Sequence, residues 1–172
     1  MRKLTCKYKI INHQKNMIQW GNSLRKIPHR IWFQPIEDEK WSVAEIISHF
    51  IPWDKFVIND RVPAVLTNAV LCPPPDRELV NKIAAIKGRN HEQSITIKHF
   101  LNGRERMFSM LEAMEIHHFE KGFSIGGSKL TICTYLDGLV SHDLHHKAQI
   151  HGYINRTYNL NLTIDRWQAM VE

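Results

Sequence analysis

With 172 residues, 43% of them hydrophobic and 23% charged, the chain has the make-up of an ordinary soluble globular protein and the length for one domain spanning 1–172 with a packed core. No apolar run approaches the roughly 18 residues that span a bilayer, and the basic N-terminus leads into no continuous apolar stretch, so neither a membrane span nor a cleaved signal peptide is expected. The net charge of +6 is carried by residues 1–40, with nine Lys/Arg against three acids; no nucleic-acid motif accompanies it, so a solvated helix face is expected and a nucleic-acid partner is not.

Cys6, Cys72 and Cys133 are odd in number and widely spaced. That argues against a disulfide framework and a CxxC metal knuckle, and it points to a reducing cytoplasm.

In chain order, Ile10, Ile11, Met17, Ile18, Trp20, Leu24 and Ile27 recur closer to every 3.6 than to every 2 positions, which predicts an amphipathic helix over 10–27 ended by Pro28. Residues 29–40, with Pro35 and the run Glu37-Asp38-Glu39, read as a connector. Ser42-Val43-Ala44-Glu45 is a capping box, so a second helix starts at Val43, with Trp41 and Ile46 placed for a hydrophobic staple. Ile46, His49, Trp53 and Phe56 then follow the spacing of a bundle seam, and a histidine stands where a core residue belongs. Pro52 predicts a kink, and the helix is expected to end near Val70.

Cys72-Pro73-Pro74-Pro75 breaks the chain. Leu79, Ile83 and Ile86 predict a short helix over 77–87, followed by a loop at Gly88-Arg89-Asn90-His91. Ser94 or Thr96 caps a third long helix running to about Ile116, and Arg104 interrupts its apolar face, either as a snorkelling surface arginine or as a buried anion-binding group. Residues 117–128, with Gly122, Gly126 and Gly127, form a loop with a short extended segment at Phe123 to Ile125. Thr131 caps the last long helix, which is predicted through Arg156 with Tyr135, Leu139, His142, His146, Gln149 and Tyr153 on its inward line. The tail 157–172 reads as irregular or as a short closing helix.

His49, His142 and His146 therefore sit at seam positions, and the last two, four residues apart, share one helix face. Burying three imidazoles is unfavourable unless each finds a partner, and one divalent cation satisfies all three. Three histidine ligands with a position left for water make a catalytic rather than a structural site, in which bound water is acidified toward neutral pH. The HxxxH pair alone is weak, since two surface or hydrogen-bonded core histidines satisfy the same pattern; His49 is what raises it to a three-point site. No HExxH is present, which removes a zincin-type helix-borne base. His13, His29, His91, His99, His117, His118 and His151 lie in loops or off the seams and read as surface residues, and Cys133, off the seam of His142, reads as neither ligand nor nucleophile.

Two segments carry a resemblance. Trp41 to His49, at Trp41, Ser42, Glu45 and His49, and His142 to Gln149, as HxxHHxxQ, resemble the two signature segments of the DinB-like superfamily, bacterial four-helix bundles that include damage-inducible proteins and metal-dependent thiol S-transferases and isomerases. The order and lengths of the long helices are similar to that family over nearly the whole chain. The resemblance implies an all-α four-helix bundle with long loops and a short C-terminal extension, metal ligands at His49, His142 and His146, a homodimer, and either S-transfer from a low-molecular-weight thiol or hydrolysis of a small-molecule substrate. Three imidazoles suit several divalent metals, zinc and nickel first among them here.

Three further residues stand beside the proposed ligands. Glu45 lies one turn before His49 and is placed to orient it, although capping is a sufficient role. His145, three residues past His142, is angularly close to the same face, and Gln149, one turn past His146, is placed for a hydrogen bond across the bundle. No catalytic residue is named by the sequence. The rival reading is a non-catalytic metal-binding bundle acting in stress response or assembly, which a fourth protein ligand or a sealed bundle would favour. Nucleic-acid binding by the basic first helix is the third, and it predicts steep salt dependence.

Overall fold

Ser42 fixes the helix that carries His49. The Glu45 backbone N–H donates to Ser42 Oγ at 3.3 Å and the Ser42 N–H donates to Glu45 Oε2 at 2.8 Å, so the expected capping box is formed and α3 (Val43–Phe56) begins at Val43. In this computed structural model, which describes residues 2–158, the other long helices are α1 (Arg2–Ser23), α6 (Gln93–Ala113) and α7 (Ile132–Tyr158). With α3 they make a four-helix bundle in which α6 packs on both α1 and α3 and α1 meets α7. Among the described residues no helix is long and apolar enough to cross a membrane. From residue 159 on, the predicted tail lies outside the described residues.

The first helix starts well before Ile10, because its N-terminal part is held by charge rather than by an apolar stripe. Lys7 Nζ donates to the Glu112 carbonyl at 3.0 Å and also to that of Met114, at the C-terminal end of α6, and Lys9 pairs with Asp137. The predicted connector contains a single helical stretch, α2 (His29–Phe33), that buries Ile31 and Trp32.

Beyond Phe56 the helical path continues as a π-helical turn, Val57–Arg61, and then as α4 (Val62–Thr67), which ends at Asn68 in the left-handed conformation, φ 55°, rather than near Val70. After the proline break comes α5 (Arg77–Asn90), longer than predicted and laid along α3. Gly88 was expected in a loop but is helical and buried: a Cβ there would stand 2.7 Å from the Ala44 carbonyl oxygen, so glycine marks a close approach of two helices and not a turn.

The extended segment at 123–125 is half of a hairpin. β1 (Gly122–Ile125) pairs antiparallel with β2 (Ser128–Thr131) in the register Gly122 to Thr131, and the two-residue turn places Gly126 and Gly127 at φ 54° and 82°. Thr131 caps α7 as expected, accepting from the Thr134 N–H at 3.2 Å.

The core face of α7 is Ile132, Leu136, Val140, Ile150 and Ile154, one position round from most of the predicted inward line, of which Tyr153 is buried in the core as expected. Tyr135, Leu139, His142 and His146 instead line a cavity between the helices.

Two expectations are corrected here. Cys6 on α1 and Cys133 on α7 are joined in a disulfide with Cα atoms 6.3 Å apart, across a sequence separation of 127. Wide spacing argued against a bridge, yet the packing of α1 near the start of α7 brings the two together, and the inference of a reducing compartment loses its premise. His13, assigned to the surface, is buried on the inner face of α1.

Candidate metal centre

His49 reaches the bundle interior from the second turn of α3, while His142 and His146 come from successive turns of α7. Among the described residues these three histidines form a group in which every ligand atom lies within 4.8 Å of the others. His49 Nε2 stands 3.3 Å from His142 Nε2. Two metal–nitrogen bonds of about 2.05 Å at the tetrahedral angle span an edge of about 3.3 Å, so the pair already has the separation of two ligands on one ion.

The outer ring nitrogens settle which lone pairs are free. His49 Nδ1–H donates to the Ile46 carbonyl within its own helix, and His146 Nδ1–H donates to Gln149 Oε1 at 2.7 Å. Both contacts put the proton on Nδ1 and leave Nε2 with its lone pair turned toward the group. Burial, then the neighbouring His146, holds the His49 imidazole down at about 3; burial, then His142, holds His146 at about 4. Both rings are therefore neutral at pH 7, the form that binds metal. His142 is more open, its side chain 43% exposed, which gives solvent and solutes access to the group.

The residues expected beside the ligands divide. Gln149 orients His146 from the same helix, so the predicted bond across the bundle is replaced by one along α7. Glu45 is occupied by the Ser42 cap and by an ion pair to Arg89, and no contact to His49 is among its bonds. His145 is exposed and touches only the edge of the group, its ring 5.1 Å from that of His146.

Beneath the histidines lies a charge cluster that the sequence reading missed. Arg104, 2% exposed, grips Asp143 through both terminal nitrogens, with Nη2 to Oδ1 at 3.0 Å, and its Nε lies 2.9 Å from Asp54 Oδ2 in a charge contact not aligned as a hydrogen bond. His13 Nε2 adds a bond of 2.8 Å to Asp143 Oδ2. The guanidinium is sandwiched between Phe50 and Phe100, at 5.0 and 5.1 Å from the ring centres. Arg104 is thus the buried alternative of the two foreseen, but its anions are the protein's own.

Two carboxylates share this one arginine. For Asp143 burial alone would raise the pKa, but Arg104, His13 and His142 together pull it well below the usual carboxylate range. Asp54 moves the other way: burial, reinforced by Asp143 and only partly opposed by Arg104, pushes it up to about 7. Asp143 Oδ1 also lies 3.9 Å from His142 Nδ1, so the cluster sets an anionic group behind the third histidine. His151, a further supposed surface residue, accepts a bond from Trp20 Nε1 at 3.1 Å.

The histidines open onto a cavity of about 1000 Å³ lined from α1, α3, α5, α6, α7 and β1. Phe50, Trp53, Phe56, Met107 and Leu136 give it apolar walls, with Asp54, Arg61 and Tyr135 among the polar groups. It is not a sealed bundle, and the histidine group includes no fourth protein ligand among the described residues.

Fold and site together define a helical bundle with a cavity-facing three-histidine group whose donors fit a divalent ion. No family model matches the chain, and no curated protein matches it either. Among solved structures the chain is similar to YfiT from Bacillus subtilis, described as a probable metal-dependent hydrolase with an unusual four-helix bundle topology; the TM-score is 0.73 at 18% identity, covering 88% of this chain and 87% of that one. At that identity the likeness establishes the fold.

Proposed function

We propose that this chain is a DinB-like, metal-dependent enzyme that acts on a small molecule, with hydrolysis as its reaction. The observation that carries the reading is the 3.3 Å separation of His49 Nε2 and His142 Nε2, the edge of a tetrahedral site, in a group that opens onto a cavity. The likeness to a probable metal-dependent hydrolase and the two signature segments support it.

His49, His142 and His146 would hold a divalent ion, zinc or nickel, which would supply Lewis acidity toward a water or thiol. The chain's own residues do the rest. Ile46 and Gln149 hold two rings in the metal-binding tautomer, and the Arg104 and Asp143 pair anchors the floor beneath His142. Asp54, raised to about 7 on the cavity wall, takes up or releases a proton at its carboxylate near neutral pH. The apolar walls exclude water around a bound substrate.

Thiol S-transfer is the second reading, supported by the HxxHHxxQ segment. No cysteine lines the cavity among the described residues, so the thiol would be a co-substrate. Zinc-loaded and nickel-loaded protein assayed on an ester and amide panel, with and without a small thiol, separates the two. Chelator-sensitive hydrolysis without thiol supports the first reading, and strictly thiol-dependent turnover supports the second. Absence of any chelator-sensitive turnover favours the non-catalytic metal-binding bundle.

A further inference from the structure

Two buried arginines line the same cavity, and among the described residues only one of them has a counter-ion. Arg104 is matched by Asp54 and Asp143. Arg61, 4% exposed at the end of the π-helical turn, has no carboxylate within ion-pair distance among the described residues, and its Nε is buried without a hydrogen-bond partner. It faces the ring of Phe56, 5.0 Å from the ring centre, and its charge acts on the neighbouring Tyr135 phenol. A guanidinium is always charged and offers five donors, and burying one without an anion is strongly unfavourable. No anion among the described residues answers it.

We infer that Arg61, with Tyr135 beside it, recognises the carboxylate of a small-molecule substrate whose other end reaches His49, His142 and His146. The inference rests on the three-histidine reading of the cavity and adds the substrate's class to it. Tyr135 and His142 are seven residues apart on α7, which sets the anion site and the histidines about 10 Å apart along the helix axis. On α5 the cavity lining carries Arg77 and Lys82 against Glu78, with Arg89 paired to Glu45, so that side is net cationic as well. One guanidinium charge balances a carboxylate, whose two oxygens match its fork, whereas a phosphate dianion would keep an uncompensated buried charge. The walls between the two ends, Phe56, Leu136 and Leu139, call for an apolar spacer. Arg61 is therefore a specificity-determining residue, since a site built around a buried charge rejects the neutral analogue far more strongly than an apolar pocket rejects a shorter chain.

The test uses the full chain, free of metal, with hexanoate and its neutral counterpart hexanamide as probes. In spectra of the arginine side-chain N–H groups, hexanoate is expected to shift the Arg61 Nε–H signal and hexanamide to leave it in place. Hexanoate binding should weaken roughly tenfold or more in Arg61→Met and by less in Arg61→Lys, which keeps the charge but not the fork. Tyr135→Phe, which keeps the ring and removes one hydrogen bond, should bind hexanoate a few-fold more weakly and covers the case in which Arg61→Met does not fold. Equal binding of the two probes, or an unmoved Arg61 signal at saturating hexanoate, overturns the inference. A zinc titration of the same samples separates the two claims. Zinc binding without hexanoate discrimination overturns the anion site alone, whereas hexanoate discrimination without zinc binding upholds it and removes the metal reading.

Discussion

Gln149 accepts the Nδ1 proton of His146 at 2.7 Å, one turn along α7, and so decides which nitrogen of that histidine faces the centre. Removing an outer partner of this kind lowers metal affinity by about 10- to 100-fold. Gln149→Leu is therefore expected to bind zinc about tenfold or more weakly by competition with a chromophoric chelator, with its unfolding midpoint in the absence of metal little changed. Wild-type affinity in that variant would show that Gln149 does not hold the ring.

Arg104 is the only arginine or lysine in contact with Asp54 and Asp143 among the described residues. Taking it away leaves two carboxyls buried with no counter-charge, a change that destabilises by about 3–5 kcal/mol. Arg104→Met should lose that much in urea denaturation even though methionine suits the space between Phe50 and Phe100. Arg104→Met combined with Asp143→Leu should recover part of it, because the double change removes the orphaned charge together with its partner. A loss below about 1 kcal/mol in the single variant would place the cluster outside the core of the folded state.

Acid should unfold the metal-free protein, and the sign follows from which state binds protons. The folded-state values of His49, His146 and His151, about 3, 4 and 4, lie below the ordinary 6.5, so each of these imidazoles takes up a proton on unfolding near pH 5. Their stabilisation is complete above 6.5 and is lost as pH falls toward the folded values. Asp54 opposes them: raised from 3.8 to about 7, it releases a proton on unfolding in the same range. Three protons taken up against one released leaves a net uptake of about two, so stability should fall steeply between pH 6.5 and 4. Denaturant midpoints across that range check the slope; a flat or rising profile on acidification would contradict the burial assigned to these rings.

The Cys6–Cys133 bridge closes a loop of 127 residues and ties α1 to α7. For a loop that long, losing the bond destabilises by about 3–5 kcal/mol. Cys6→Ser with Cys133→Ser should show that loss in denaturation, and alkylation of the unreduced chain after unfolding should label Cys72 alone, the free cysteine. Three labelled cysteines in oxidised protein would remove the bridge.

The parts of this structure that were readable in the sequence are the local ones. The capping box fixed where α3 starts and hence where His49 points, and the four-residue spacing of His142 and His146 put them on one face without knowledge of the fold. Thr131 announced its cap in the same way. What stayed hidden depends on which helices meet. Asp143 follows His142 directly and looks like a solvated helix residue; only when α1 and α6 close over it does it become the centre of His13 and Arg104. Arg104 did give a signal, as a charge interrupting an apolar face, but its partners lie 39 and 50 residues away. Gly88 misled because a glycine late in a short helical pattern serves equally as a stop and as a point of close contact with a neighbouring helix. Cys6 and Cys133 misled for the same reason of distance along the chain.

The central claim is that His49, His142 and His146 bind one divalent ion together, and a zinc titration by calorimetry of wild type beside His49→Ala and the His142→Ala/His146→Ala double variant tests it most directly. The account predicts one zinc per wild-type chain and at least tenfold weaker binding when the lone α3 histidine is removed. It predicts no specific binding in the double variant. Equal zinc content and affinity in all three proteins would contradict it.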